Sequence, residues 1–140
     1  MNALEVRDKL PHRYPMLLVD ALEERTAEGA IGYKNVTANE PYFRGHFPEA
    51  PVMPGVLVME CLCQLAWLWM EPEGHLRMTN IKKLRFRRPT LPGDRLKLQI
   101  KLLERDGNVV VVKAIASVDD ELAVTGQFSF ILDENKKGSS

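Results

Sequence analysis

GHFPEAPVMPGVLVMECLCQLAWLWM, residues 45–70 of the chain, decides the fold. It opens with His46 in a loop whose prolines recur at every third position, Pro48, Pro51 and Pro54. Each proline fixes its own φ and steers the preceding residue away from helical geometry, so the loop is stiff. Pro54 suits the first turn of a helix, where a missing N–H costs little. From Gly55 onward the sequence is apolar on every side apart from Glu60 and Gln64. A helix of that kind belongs in a core. Its apolar run falls short of the roughly 20 residues of a membrane span, and Glu60 interrupts it. Glu60 is therefore expected as a carboxyl group in the core of a soluble domain, where such groups have a partner or a purpose.

Upstream of this stretch, residues 2–9 (NALEVRDK) read as a short helix capped by Asn2, with Glu5 completing a capping box. Pro11 and Pro15 end it. Residues 16–22 and 30–36 are strand-like and form a hairpin about Glu28-Gly29. Downstream, EPEGH at 71–75 closes the long helix, and the pattern changes to period two. Strands are expected over 81–88, 96–102, 109–118 and 122–132, with turns at 91–94, 106–108 and 119–120. The layout is two strands, one long apolar helix and about four antiparallel strands. A curved antiparallel sheet wrapped around the helix covers it most economically. One small sheet leaves a flank of the helix bare, so a second subunit is expected to complete the burial.

A chain of 140 residues is one domain, here 1–134, followed by a disordered polar tail at 135–140. A net charge of +0 argues against nucleic acid as the main partner. The amino terminus lacks the basic and apolar pattern of a signal peptide, which with two reduced thiols predicts a cytoplasmic protein. Cys61 and Cys63, two apart on a helix, point in different directions and suit neither a disulfide nor a metal. No glycine-rich phosphate loop is present, and no metal or other cofactor is expected.

His46 and Glu60 together suggest acid–base chemistry. Histidine titrates near neutrality, and a glutamate in apolar surroundings holds its proton to higher pH. Gly55 lies at the helix start, where backbone N–H groups lack partners and a substrate oxygen could come close. A base, an acid and an oxyanion donor suit proton abstraction beside a carbonyl, with loss of a leaving group. Taken singly, His46 could be a loop histidine satisfied by backbone, and Glu60 could pair with an arginine. Spacing alone does not bring them together.

GHFPxxPVMPGVLxxExxxQ resembles the signature of the FabZ-type 3-hydroxyacyl-[acyl-carrier-protein] dehydratases of fatty-acid synthesis. The resemblance extends to LPHRYPMLLVD at 10–20, NEPYFRGHFP at 39–48 and IKKLRFRRPTLPGD at 81–94. It implies an α+β hot-dog fold, a curved antiparallel sheet around one long helix, pairing into a double hot dog that can assemble into hexamers. It also implies dehydration of a 3-hydroxyacyl chain carried on acyl carrier protein, with His46 as base and Glu60 of the opposite subunit as acid. By the same resemblance the Gly55 N–H binds the thioester carbonyl, the Val52 carbonyl orients the histidine, and Gln64 holds Glu60. A hot-dog thioesterase and a non-catalytic acyl-binding module are the alternatives, and the retained His46, proline loop and Glu60 disfavour both.

Five positions depart from the family pattern. Glu49 replaces a glycine, Cys61 and Cys63 replace alanines, and Trp67 and Trp69 replace smaller residues. Trp67 follows Glu60 by seven positions and shares its face, so it is expected to shorten or reshape the acyl tunnel. His12 and His75 are assigned bland roles, His75 in a polar loop. Lys82, Lys83, Arg85, Arg87 and Arg88 form a basic cluster, either a solvated strand face or a docking site for the acidic carrier protein.

Overall fold

The computed structural model describes Asn2 and residues 18–37, 53–72 and 74–133. The expected helix over 2–9, His12, His46, Glu49, Val52 and the tail at 135–140 lie outside these residues, Asn2 excepted. The described elements are β1 (Ala21–Thr26), β2 (Gly29–Asn35), α1 (Gly55–Met70), β3 (His75–Phe86), β4 (Arg95–Asp106), β5 (Val109–Val118) and β6 (Glu121–Asp133). Six strands form one antiparallel sheet in the order β1-β2-β4-β5-β6-β3. The chain leaves β2, passes through α1 and re-enters the sheet at its opposite edge as β3. This is the α+β hot-dog architecture.

Alternation along the strands decides which face meets the helix. Leu96, Leu98 and Ile100 on β4, Val110, Val112, Ala114 and Ala116 on β5, and Phe128 and Phe130 on β6 are buried. They pack with Val58, Cys61, Leu62, Leu65, Ala66 and Leu68 of α1 into one core. Gly32 on β2 lets the helix approach, because a Cβ there would lie 2.9 Å from a methyl of Leu65. On the outer face Lys97, Gln99, Lys101 and Lys113 meet solvent, as a one-sided antiparallel sheet requires.

Several expected boundaries move. The first strand begins at Ala21 rather than residue 16, although Leu18 and Val19 are buried. Their N–H groups do not enter the ladder; both point to the side-chain oxygen of Gln64, at 2.9 and 3.3 Å. The polar run Glu23-Glu24-Arg25 is a strand because Ala21–Thr26 is an outer edge, with a bulge between Leu22 and Glu24. β3 starts at His75, six residues earlier than expected, so His75 is a strand residue and not part of a polar loop. The turns were well signalled. Gly107 has φ 60 at the first position of the β4–β5 turn, and Asp119 and Asp120 have φ 49 and 64 between β5 and β6.

Both ends of α1 are fastened. Met53 N–H donates to the Thr90 carbonyl at 2.8 Å, and the Pro54 carbonyl accepts from Leu57 at 2.9 Å. At the other end Glu71 takes φ 44, and its N–H donates to the Trp67 carbonyl. Arg25 Nε donates to the Trp69 carbonyl at 2.9 Å, bringing a cation to the negative helix end. Trp69 Nε1 donates in turn to the Thr26 carbonyl at 2.8 Å. The β1–β2 hairpin therefore depends on a close fit between β2 and β4. A Cβ on Gly29 would lie 1.9 Å from the Ile100 carbonyl oxygen, whereas one on Gly107 would meet nothing within 4 Å. Gly29→Ala should therefore lower unfolding stability by about 3 kcal/mol and Gly107→Ala by about 1 kcal/mol, which urea titration of the two variants will compare.

Candidate active site

Along α1, position decides exposure. Cys61, Leu62, Leu65, Ala66 and Leu68 face the sheet and are fully buried. Met59, Glu60, Cys63, Trp67 and Met70 are only half-buried and lie along the opposite flank. The expectation of a helix buried all round thus holds for one side of a single chain. Glu60 is accordingly a half-buried acid on a seam, and not a carboxyl group enclosed in the core.

Gly55 is the first residue of α1, and the Phe86 ring of β3 lies against it. A Cβ at Gly55 would come 2.5 Å from that ring, so only glycine fits without displacing it. A cavity of about 470 Å³ opens here, lined by Met53, Gly55, Val56, Phe86, Arg87 and Thr90 among others. No acidic residue lies in the first turn of the helix, so its N–H groups and positive dipole end are not neutralised from within.

One turn beyond Glu60 stands Gln64, completely buried. Its Nε2 donates to Glu60 Oε1 at 3.3 Å, while its oxygen accepts the N–H groups of Leu18 and Val19. One amide thereby joins the acid to the segment entering β1. Cys63, on the Glu60 flank, has its thiol pushed up to about 12 by burial and, secondarily, by the charge of Glu60. Its Sγ lies 3.7 Å from the Met78 sulfur on β3. Trp67 meets His75 edge to face, with ring centroids 6.3 Å apart.

The structure therefore brings Gly55, Glu60, Gln64 and Trp67 onto one helix. His46 and Val52 lie outside the described residues. The basic cluster divides. Lys82 and Arg85 sit on β3 opposite Gln127 and Thr125, with Lys83 at φ 55 in the bulge between them. These three and Arg87 are exposed. Arg88 is committed elsewhere, to Asp94 at 3.4 Å and Glu121 at 3.3 Å, so it is a structural residue of the 88–94 turn. Sequence reading missed Phe86, Met78 and His75, which face the helix from β3. Leu84 and Phe86 among alternating cations gave a signal for an inward face, but not for its nearness to Gly55.

Among the described residues no group of His, Cys, Asp and Glu could hold a metal ion, and no helix is long and apolar enough to cross a membrane. Residues 10–127 match the model of the FabA-like domain family. The chain is 42% identical over 137 residues to a 3-hydroxyacyl-[acyl-carrier-protein] dehydratase FabZ of Clostridium perfringens, covering 94% of this chain and 99% of that one. It is 46% identical over 133 residues to a FabZ of Streptococcus agalactiae, covering 91% and 95%. Among solved structures, the dehydratase heterocomplex ApeI:P from Xenorhabdus doucetiae superposes with a TM-score of 0.81 at 19% identity, covering 94% of this chain and 92% of that one. At that identity the likeness is one of fold.

Two outcomes follow from the amide and the thiol. Gln64→Leu strands two buried N–H donors and should cost about 3 kcal/mol in thermal or urea unfolding. Cys63 is protonated throughout the neutral range, since its thiol is raised to about 12. Labelling of native protein by a disulfide reagent should be slow at neutral pH and accelerate toward strong alkali. Glu60→Gln removes the secondary cause and should speed it; an unchanged rate would show the two groups do not interact.

Proposed function

From the membership of this chain in the FabA-like family, at 42–46% identity to FabZ dehydratases over nearly its whole length, we propose that it is a 3-hydroxyacyl-[acyl-carrier-protein] dehydratase. It converts a (3R)-3-hydroxyacyl thioester on acyl carrier protein into the trans-2-enoyl thioester and water, using one domain that spans 1–134. The near-complete coverage of both chains is the observation that carries the reading.

The chemistry assigned to the residues is an elimination. The Gly55 N–H, at the positive end of α1, donates to the thioester carbonyl oxygen and stabilises negative charge that develops there. His46, oriented by the Val52 carbonyl, takes a proton from C2. The electron pair of that C–H bond forms the C2–C3 double bond as the C3–O bond breaks. The proton of the Glu60 carboxyl goes to the departing hydroxyl, which leaves as water. Proton transfer from His46 back to Glu60, through water, resets the pair. Gln64, bonded to Glu60 at 3.3 Å, keeps the acid aimed along the seam. No cofactor takes part.

The acid acts across a subunit boundary. The half-buried flank of α1 and the edge of β3 that no described strand pairs lie side by side, and Met78 and Phe86 are exposed there. A second copy that pairs edge to edge with β3 would continue the sheet and cover both apolar surfaces. Glu60 of one chain then serves the Gly55 and His46 of the other, and three such dimers can assemble into a hexamer. The exposed cations Lys82, Lys83, Arg85 and Arg87 are assigned to steering an acidic carrier protein toward the site. The protein acts in the cytoplasm, without nucleic acid or membrane as partner.

Hydration of a short trans-2-enoyl thioester, followed by loss of enoyl absorbance, tests the activity. Wild type should form the 3-hydroxyacyl product, with His46→Ala and Glu60→Gln each slowed by about a thousandfold. A wild-type protein that binds the thioester without turning it over, or that releases free thiol and acid, would overturn the reading. Met78→Glu puts a charge on the β3 flank and should shift sedimentation to the monomer, abolishing turnover with it.

A further inference from the structure

Among the described residues no side chain caps the start of α1, and Pro54 has no N–H with which to anchor it. Outside the helix, its start is held by the bridge between Met53 and Thr90, in which the Met53 N–H donates to the Thr90 carbonyl at 2.8 Å. Both residues are buried. Gly55 follows Met53 by two positions, and the proline between them leaves the backbone little freedom. Where Thr90 stands therefore sets where the Gly55 N–H points.

Thr90 belongs to the segment 87–94 that joins β3 to β4. Its backbone is fastened to β6, where the Arg87 N–H donates to the Ala123 carbonyl at 2.7 Å. It is fastened beyond the end of β2 as well. The Val36 N–H donates to the Asp94 carbonyl at 3.0 Å, and the Gly93 N–H donates to the Val36 carbonyl at 2.8 Å. Across the base of the turn, Arg88 Nη2 lies 3.4 Å from Asp94 Oδ2, and the same oxygen accepts the Leu91 N–H at 2.8 Å. Arg88 Nε donates to the Pro89 carbonyl at 3.1 Å. The Arg88 and Asp94 side chains are 21% and 19% exposed, so solvent screens this pair less than a surface one. Glu121, the second partner of Arg88, is 67% exposed and contributes little. The pair with Asp94 is the one that closes the turn around Thr90. The cavity of about 470 Å³ is lined from both sides, by Met53, Gly55 and Val56 of the helix start and by Phe86, Arg87 and Thr90.

We propose that Arg88 is a positioning residue of the active site. By closing the 88–94 turn on Asp94 it fixes Thr90, and through Thr90 and Met53 it holds the Gly55 N–H where the thioester oxygen binds. The inference rests on the dehydratase reading. A preorganised donor acts on charge that develops in the transition state, so displacing it lowers kcat more than it raises KM.

The test follows hydration of a four-carbon trans-2-enoyl thioester, with circular dichroism checking the fold of each variant. Arg88→Gln should lower kcat by about thirtyfold and leave KM within about threefold. Asp94→Asn should lower kcat to a similar degree. The double variant should lose no more than Arg88→Gln alone, because both changes break one contact. Arg88→Lys keeps a charged donor for Asp94 and should recover kcat to within about fivefold of wild type. Glu121→Gln should leave kcat within about twofold. Should Arg88→Gln not fold, Asp94→Asn read against Glu121→Gln carries the test. A kcat unmoved by Arg88→Gln and Asp94→Asn, or losses that multiply in the double variant, overturns the inference while leaving the dehydratase reading intact. Inactivity of wild type overturns the dehydratase reading itself.

Discussion

The rest of the structure depends on the side chain of Gln64. It is wholly buried, and its amide is spent in two directions at once. The oxygen satisfies the N–H groups of Leu18 and Val19, which no strand pairs, and the nitrogen reaches Glu60. An unsatisfied N–H in that position would cost as much as a hydrogen bond contributes several times over. The amide thus lets the chain enter the core without belonging to the sheet, and it ties the acid to the scaffold by the same bond. A hydrocarbon here would satisfy the packing and fail the polar groups. A carboxylate would satisfy Leu18 and Val19 and place a second acid beside Glu60.

From that anchor the asymmetry of α1 follows. One flank meets a sheet whose inward positions are filled by leucine, isoleucine, valine and phenylalanine, and it is dry. The other meets β3 at Phe86, Met78 and His75, on the strand that the crossover through α1 carries to the far side of the sheet. β3 is bulged twice, between Met78 and Asn80 and between Lys82 and Arg85, so its inward residues touch the helix at intervals. Bulges re-aim side chains and weaken pairing. Phe86, Met78 and His75 meet the helix at three separate points, and the acid lies in the gap between two of them.

Much of this was legible in the sequence. The apolar run from Gly55 to Met70, and the clean alternation of 96–102 and 109–118, each identified one element and its buried face. The turns at 106–108 and 119–120 announced themselves through Gly107 and the paired aspartates. What was not legible depends on contacts between distant segments. Apolar Leu18 and Val19 looked like strand, and a glutamine 45 or 46 residues later made strand pairing unnecessary. His75 looked like loop after Pro72 and Gly74, yet its pairing with Asp133 of β6 makes it strand. Arg88 looked like one more exposed cation in a row. Asp94 and Glu121, brought in by the turn and by the start of β6, took it out of that row. At the site, the residue types of Gly55, Glu60 and Gln64 were readable, but the ring of Phe86 over Gly55 was not.

On the proposed dehydratase reading, the half-burial of Glu60 reconciles two demands that conflict in a uniform core. A general acid must keep its proton near neutrality, which favours apolar surroundings, yet it must exchange that proton with water after each turnover. Full burial meets the first demand and defeats the second. On the seam, Glu60 is half-buried, with apolar neighbours along α1 in Met59, Cys63 and Leu57 and a hydrogen bond from Gln64. The effect of that environment is visible on its neighbour, where burial and the charge of Glu60 together hold the Cys63 thiol protonated. An anionic thiolate beside the acid would compete for the same proton. With that sulfur neutral, no thiolate charge is added beside Glu60 on this flank of α1, and half-burial leaves Glu60 within reach of solvent.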